Sequence, residues 1–174
     1  MPKIIENIRE KLLEEAKSQV MEQGYSAMTI RSVASACGVG VGTVYNYFPS
    51  KDMLVASFML EDWLVSLSAI KAGCTVEAGA EMAIRCIYEE LHRFMEKYAP
   101  LFSDKGAEES SSTAFHQRHE MLRSQLAEPL RPLCEKQTKV DAEFLAEFIA
   151  ESLLSWTATK RTFEEINSIL LQLF

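Results

Sequence analysis

The sequence predicts an all-α protein. Apolar residues recur at steps of three and four along most of the chain, and residues that start or end helices flank these stretches. No stretch shows the two-residue alternation of a half-buried strand. With 174 residues, the chain is long enough for one or two small domains with a buried core.

Three helices are predicted in the first fifty residues. The first covers residues 3–23, with Gly24 ending it. Thr29 is a good N-cap for a short second helix, residues 30–37, which ends at Gly38. A third, residues 41–48, should turn Val44 and Phe48 inward before Pro49 closes it.

Five further helices are predicted beyond Pro49. Ser50 caps a fourth helix over residues 51–70, and a break at 71–78 precedes a fifth that reaches Tyr98 and is interrupted by Pro100. Residues 103–113 read as a loop. A sixth helix over residues 113–137 contains Pro129 and Pro132, which should kink or split it. Asp141 caps the seventh helix, residues 142–160, and the eighth covers residues 163–174.

Composition favours a cytoplasmic protein without a cofactor. The apolar runs are too short to span a bilayer, and the first twenty residues mix charges with apolar residues, unlike a secretory signal. The cysteines form no CxxC pair and no zinc spacing, which favours buried free thiols; they are Cys37, Cys74, Cys86 and Cys134. Residues 1–51 hold six basic and five acidic residues, a net charge of +1, and residues 52–174 hold twelve and twenty, a net charge of −8. A near-neutral N-terminal part can still bind a polyanion through a small patch.

The second and third helices are predicted to form a helix-turn-helix, with the turn at residues 38–40. Hydrogen-bonding side chains on a short protruding helix suit the major groove of B-DNA. Gly42 lets the backbone approach a neighbour, which is either a phosphate or a packed helix. Ser50 and Lys51 at a helix start combine free N–H groups, the helix dipole and an ammonium, a combination that favours phosphate.

The stretch "TIRSVASACGVGVGTVYNYFPSKDML", residues 29–54, resembles the DNA-binding segment of the TetR family of bacterial transcriptional regulators. The resemblance implies a DNA-binding domain at residues 1–49 and an effector-binding and dimerisation domain at residues 50–174. It also implies that nine residues touch DNA: Thr29, Arg31, Val41, Gly42, Thr43, Tyr45, Asn46, Tyr47 and Lys51. Of these, Thr29, Tyr47 and Lys51 would mostly contact phosphates. The better candidates for reading bases are Arg31, Val41, Thr43 and Asn46, although Val41 offers only apolar contact where a polar residue is common.

The resemblance further implies a homodimer that recognises two half-sites of a palindromic double-stranded operator. The last two helices are apolar on more than one face, which would leave a large exposed patch on a monomer. Pairing into a four-helix bundle would bury it, and packing within one chain is the alternative. The expected interface residues are Leu145, Phe148, Ile149, Ser152, Ile166, Ile169, Leu170 and Leu173.

A small-molecule effector pocket is the third implication. Its candidate lining is Trp63, Tyr88, His92, Met95, Phe102, Phe115, His119 and Trp156, each of which could instead be core or surface. Aromatic and methionine side chains with few cations favour a neutral or cationic, largely apolar molecule. His116 and His119 alone do not make a metal site, so no metal is predicted.

The favoured function is a repressor released from its operator by such an effector. The alternative is a DNA-bound adaptor of the same fold whose C-terminal domain binds a protein. An all-α enzyme is disfavoured, because the sequence shows no nucleophile–base pair, metal spacing or phosphate loop.

Overall fold

The structure is a computed structural model that describes residues 7–102, 112–136, 140–159 and 161–174, without the side chains of residues 102 and 112–118. The described residues form α-helices and one short 3-10 helix, with no strand among them, so the predicted all-α class is confirmed. The helices are α1 (Ile8–Gln23), α2 (Ile30–Ala36), α3 (Val41–Tyr47), α4 (Lys51–Gly73), α5 (Gly79–Phe102), α6 (Ser112–Cys134), α7 (Ala142–Ala158) and α8 (Phe163–Leu170), followed by the 3-10 turn Leu171–Leu173.

The chain divides into two compact units. The head holds the described residues up to Trp63 together with Tyr98–Phe102, and the body holds Leu64–Lys97 with the described residues from Ser112 onward. The division therefore falls inside α4 and α5. The boundary after residue 49 that the sequence suggested stays a prediction.

Local signals explain the short helices of the head. The Thr29 hydroxyl accepts the Ser32 N–H at 3.0 Å, and the Ser32 hydroxyl accepts the Thr29 N–H at 3.1 Å, which makes a reciprocal capping box at the start of α2. Gly38 follows α2 with φ of 67°, a left-handed conformation that glycine adopts without a Cβ penalty. The Ser50 hydroxyl accepts the Met53 N–H at 3.1 Å and so caps α4 as predicted.

Prolines interrupt fewer helices than the sequence suggested. Pro100 lies inside α5, which continues to Phe102, and Pro129 and Pro132 lie inside α6, which continues to Cys134. The expected interruption at Pro100 and the expected splitting of α6 are therefore wrong. All three prolines stand within about two turns of a helix end, and tertiary burial of Leu126, Leu130 and Leu133 outweighs the lost backbone hydrogen bonds.

A partly buried polar cluster joins three helices of the head. The Asp62 carboxylate of α4 receives the Lys17 ammonium of α1 at 2.7 Å and the Tyr98 hydroxyl of α5 at 2.5 Å. Tyr98 is wholly buried and its ring stacks on Phe58 at 6.2 Å between centroids. Burial and the adjacent carboxylate both raise the pKa of Tyr98 above its ordinary value, so the phenol stays a donor.

Length and mean hydropathy would allow α4 to cross a membrane, the one helix of the described ranges that passes this test. Core helices of folded domains pass it as well, so it is weak evidence. Glu61 and Asp62 stand at the centre of α4, where Glu61 pairs with Arg9 at 2.8 Å and Asp62 with Lys17.

Helix packing in the body centres on α6 and α7. Leu126, Leu130, Leu145, Ile149 and Leu153 are at most 4% exposed. Asp141 accepts the Phe144 N–H at 2.9 Å and caps α7 as predicted. The capping box of Thr162 and Glu165 that starts α8 was not foreseen.

The four cysteines are free thiols, but only Cys134 is fully buried. The expectation of buried thiols is therefore wrong for Cys37, Cys74 and Cys86, which are partly exposed because they lie at helix ends or on the margin of a packed face. Burial raises the pKa of Cys74 to about 12 and that of Cys134 to about 11.

Candidate nucleic-acid interface

The core of the head sets which face of α3 is exposed. Val33 and Ala34 of α2 and Val44 of α3 are at most 1% exposed, and Phe48 just after α3 is 3% exposed. Val44 is the buried residue of α3, so this seven-residue helix is held by one inward side chain and by Phe48. The remainder of its surface projects from the head. The inward positions of Val44 and Phe48 are as predicted.

The outer face of α3 carries several of the side chains for which the sequence suggested DNA contact. Tyr45 is 51% exposed, Tyr47 is 46% exposed and Val41 is 37% exposed. Asn46 is exposed as well, whereas Thr43 is half-buried. This face therefore presents two phenols, an amide and one apolar side chain, a set that can donate and accept hydrogen bonds at base edges.

Gly42 lies on the same outer face, and its surroundings bear on the choice left open by the sequence. A Cβ built at Gly42 meets nothing within 4 Å. No helix among the described residues packs against this glycine, so packing within the chain does not account for it. The close approach of an external neighbour to the α3 backbone at Gly42 stays a prediction.

Electrostatics of this segment favour a polyanion. Residues 23–51 contain no Asp or Glu, and Arg31 and Lys51 are their two cations. Arg31 is exposed in the first turn of α2. The positive segment thus stands out from a chain with a net charge of −7.

The hydroxyl of Thr29 has a structural role. It accepts the Ser32 N–H in the cap, while the Ser32 hydroxyl donates to Gln19 Oε1 of α1 at 2.6 Å. The cap thereby ties the start of α2 to α1. The Thr29 hydroxyl oxygen already accepts a hydrogen bond in the cap, so a contact with phosphate would have to use its O–H as the donor.

Lys51 is held by a residue that sequence reasoning missed. Its ammonium donates to the Tyr25 carbonyl oxygen and lies 4.1 Å from the centroid of the Tyr25 ring. The Tyr25 hydroxyl donates in turn to the Asp52 carboxylate. Tyr25 belongs to no periodic apolar pattern, and its partners Lys51 and Asp52 are distant in the sequence, so sequence patterns did not indicate its role.

The candidate pocket residues whose side chains the structure describes lie in different places. Trp63 is 3% exposed within the head, whereas the other candidates belong to the body or are not described. Tyr88 and His92 line a groove of about 300 Å³ with Glu89, Arg93 and Glu96, all on α5. Trp156 lines a different groove of about 420 Å³ beside α8.

The other described pocket candidates, Met95 and His119, line neither of these grooves. Met95 is half-buried. His119 of α6 contacts both carboxylate oxygens of Glu151 of α7 at 2.9 Å. The side chains of Phe102 and Phe115, and that of His116, lie outside the described part of the structure. Within the described part, no group of three or more acidic, histidine or cysteine residues is arranged for a metal ion.

The expected interface residues fall into two groups. Leu145, Ile149, Ser152, Ile166 and Leu170 are at most 8% exposed within a single chain. Phe148 is 47% exposed and Ile169 is 53% exposed, while Leu173 is half-buried. Phe144, one turn before Phe148, is 63% exposed. A partner chain would therefore meet the second group, because the first is already covered by the body itself.

Comparison with known proteins places the head in a family. Residues 12–58 match the profile of bacterial regulatory proteins of the tetR family. The repressor KstR of Rhodococcus jostii is 36% identical over 55 residues, which span 32% of this chain and 26% of that protein. KstR of Mycobacterium tuberculosis is 25% identical over 171 residues, or 91% of this chain and 75% of that protein.

Solved structures share the fold along nearly the whole chain. FadR of Thermus thermophilus, a TetR family repressor in complex with lauroyl-CoA, superposes with a TM-score of 0.63 at 21% identity, covering 95% of this chain and 92% of that one. A transcriptional regulator from Cytophaga hutchinsonii gives a TM-score of 0.66 at 16% identity, covering 94% and 93%. The head therefore matches the tetR family of bacterial regulatory proteins over residues 12–58, and the chain as a whole shares the fold of these solved regulators.

Proposed function

We propose that the protein is a homodimeric, cytoplasmic transcriptional repressor that binds a palindromic operator through α3 and leaves it when a small, largely apolar effector binds the body. The proposal rests on the outer face of α3, where Tyr45, Asn46 and Tyr47 are exposed. On the same face, no atom lies within 4 Å of a Cβ built on Gly42. One seven-residue helix offers few base contacts, so a dimer reading two half-sites is expected.

Phosphate contacts are expected around this face. Tyr47 and Lys51 stand at the end of α3 and the start of α4, where a hydroxyl and an ammonium can hold the DNA backbone. Arg31, Val41, Thr43 and Asn46 are the residues proposed to meet base edges. Val41 supplies apolar contact to a thymine methyl, so we expect weak discrimination at its base pair.

The effector is proposed to be largely apolar. FadR of Thermus thermophilus binds lauroyl-CoA, a molecule with a long apolar chain. In this chain the groove beside α8 offers apolar lining from Trp156, Ile166 and Ile169. The groove at Tyr88 is mainly charged and gives the proposal no support. Release would follow from a shift between two conformations of the dimer that differ in the spacing of their α3 helices.

A protein-binding adaptor is the second candidate. The described grooves are open and shallow, and Phe144, Phe148 and Ile169 leave apolar surface exposed on the body. A dimer that still exposes a large apolar patch, and that keeps its operator affinity in the presence of fatty acyl or other apolar molecules, would favour this function.

The decisive experiment is a fluorescence anisotropy titration with DNA from immediately upstream of the protein's own gene and with a scrambled duplex, at two salt concentrations. Selective, salt-dependent binding is expected for the wild-type protein. Lys51→Ala should weaken binding to both duplexes and lower the salt slope by about one. Lys71→Ala is the matched control, because it removes the same charge from the body. Equal and weak binding of the wild-type protein to both duplexes would count against the proposal.

A further inference from the structure

Tyr25 contacts the first two residues of α4 with three different groups. Its backbone carbonyl oxygen accepts a hydrogen bond from the Lys51 ammonium, and the face of its ring lies 4.1 Å from that ammonium. Its hydroxyl donates to the Asp52 carboxylate. Tyr25 itself stands in the connection between α1 and α2, so these contacts fasten that connection to the start of α4.

The contacts restrain a side chain that is otherwise flexible. A lysine has a four-carbon stem with many rotamers, and a phosphate contact requires that most of them be given up. The carbonyl and the ring hold the ammonium beside the N-terminal turn of α4 in the absence of DNA. An ammonium has three N–H donors, so a hydrogen bond to one carbonyl is compatible with a phosphate contact. Preorganisation of this kind strengthens binding without adding a contact to the ligand.

The hydroxyl of Tyr25 orients the neighbouring carboxylate of Asp52. Asp52 is exposed in the first turn of α4, where a carboxylate complements the helix dipole but repels an incoming phosphate. The hydrogen bond from Tyr25 fixes the direction of that carboxylate. One tyrosine therefore sets the positions of both charges that border the expected phosphate contact.

We propose that Tyr25 is a positioning residue for DNA binding: it holds the Lys51 ammonium ready for a backbone phosphate and orients the Asp52 carboxylate, without touching DNA itself. This inference rests on the function proposed above.

A double-mutant cycle on the operator duplex tests it. Tyr25→Leu should weaken binding about three- to tenfold with the salt slope unchanged, because the charge of Lys51 remains. In the Lys51→Ala background, Tyr25→Leu should change the affinity by less than about twofold, because the ammonium is gone and only the direction of the Asp52 carboxylate is left to lose. Tyr25→Phe keeps the ring and the carbonyl and should retain most of the affinity. Full additivity of the two substitutions would overturn the proposal.

A second measurement needs no DNA. Acylation of lysine amines by an N-hydroxysuccinimide ester, followed by peptide mass spectrometry, reports how strongly each ammonium is held. The rate at Lys51 should rise about two- to fivefold in Tyr25→Leu and stay near the wild-type rate in Tyr25→Phe, while exposed Lys11 stays constant in both. Thermal unfolding of each variant establishes that it is folded.

The two measurements separate the possible failures. Should the wild-type protein bind both duplexes weakly and equally, the proposed function is lost, and the DNA-binding role of Tyr25 with it. If the wild-type protein binds the operator selectively but the double-mutant cycle is additive, the proposed function stands and the role of Tyr25 is overturned. The same holds if Tyr25→Leu leaves the acylation rate of Lys51 unchanged.

Discussion

At Gly42 we expect one substitution to change stability and DNA binding in opposite directions. Alanine has a higher helix propensity than glycine, and nothing within 4 Å would meet the added Cβ. Gly42→Ala should therefore raise the free energy of unfolding by up to about 1 kcal/mol. The same methyl group would stand between the α3 backbone and DNA, so operator affinity should fall by about tenfold, or about 1.4 kcal/mol.

Denaturant unfolding and anisotropy titrations of one protein preparation check both halves of this prediction. Gly38→Ala is the informative control, because Gly38 has φ of 67° and the substitution should destabilise the head by about 1–2 kcal/mol. A Gly42→Ala variant that is more stable and binds operator as well as the wild-type protein would remove the close approach of DNA at this position.

Residues with local signals were predictable, and residues with distant partners were not. Thr29, Ser50 and Asp141 were identified as helix caps because a cap depends on neighbours three residues away. Tyr25 was missed because its partners, Lys51 and Asp52, lie more than twenty residues further along the chain. The DNA contacts assigned to the face of α3 stay predictions, although the exposure of that face supports them.

Among the helices, α5 and α4 are linked in the head through the hydrogen bond between buried Tyr98 and partly buried Asp62. The phenol of Tyr98 is protonated in the folded protein up to a higher pH than in the unfolded chain, because burial and the carboxylate raise its pKa. Its contribution to stability is therefore complete below the ordinary tyrosine pKa of about 10 and declines as the pH rises above that value.

Tyr98→Phe should lower the free energy of unfolding by about 1.5–3 kcal/mol at neutral pH, the usual loss for a hydrogen bond to a charged group. Above about pH 10 the gap between the variant and the wild-type protein should narrow, by at most about 1.4 kcal/mol per pH unit. Urea unfolding across the pH range measures this, with Tyr45→Phe at an exposed ring as the control. If the difference in unfolding free energy between Tyr98→Phe and the wild-type protein stays constant above pH 10, the hydrogen bond from Tyr98 to Asp62 does not depend on the phenol proton in the expected way.

The periodic spacing of apolar residues predicted the positions of the helices better than single residues predicted where the helices end. Periodicity placed α4, α5 and α6 to within a few residues, but Pro100, Pro129 and Pro132 stand inside helices rather than at their ends. The propensity of a single residue is a local term of a few kcal/mol, and burial of several leucines on the same helix can exceed it.

For the whole molecule, the central question is which apolar surface a second chain covers. The sequence could not separate burial within a chain from burial between chains, because both require the same apolar spacing. The structure separates them on α8, where Leu170 is wholly buried and its neighbour Ile169 is 53% exposed. The two residues therefore make a matched pair for testing the proposed dimer.

Ile169→Glu should give folded monomers, since it places a charge on the exposed face only. Leu170→Glu should destabilise the body itself by more than about 4 kcal/mol, because the carboxylate would be buried without a partner. Sedimentation velocity and thermal unfolding distinguish the two results. If Ile169→Glu remains dimeric, the interface does not include this face of α8, and Phe148 on α7 becomes the next position to change.

The meeting of α4 with α5 in the body also bears on how the chain reaches its fold. A Cβ built on Gly73 would lie 2.5 Å from Cys86 Sγ, so the two helices approach closely only because residue 73 has no side chain. Gly73 and Cys86 are separated by a short connection, and closing so small a loop loses little chain entropy. Contacts of this local kind form quickly, and we expect the hairpin of α4 and α5 to be among the first structures to assemble during folding. We therefore expect the absence of a side chain at residue 73 to favour an early step of folding, before any ligand binds.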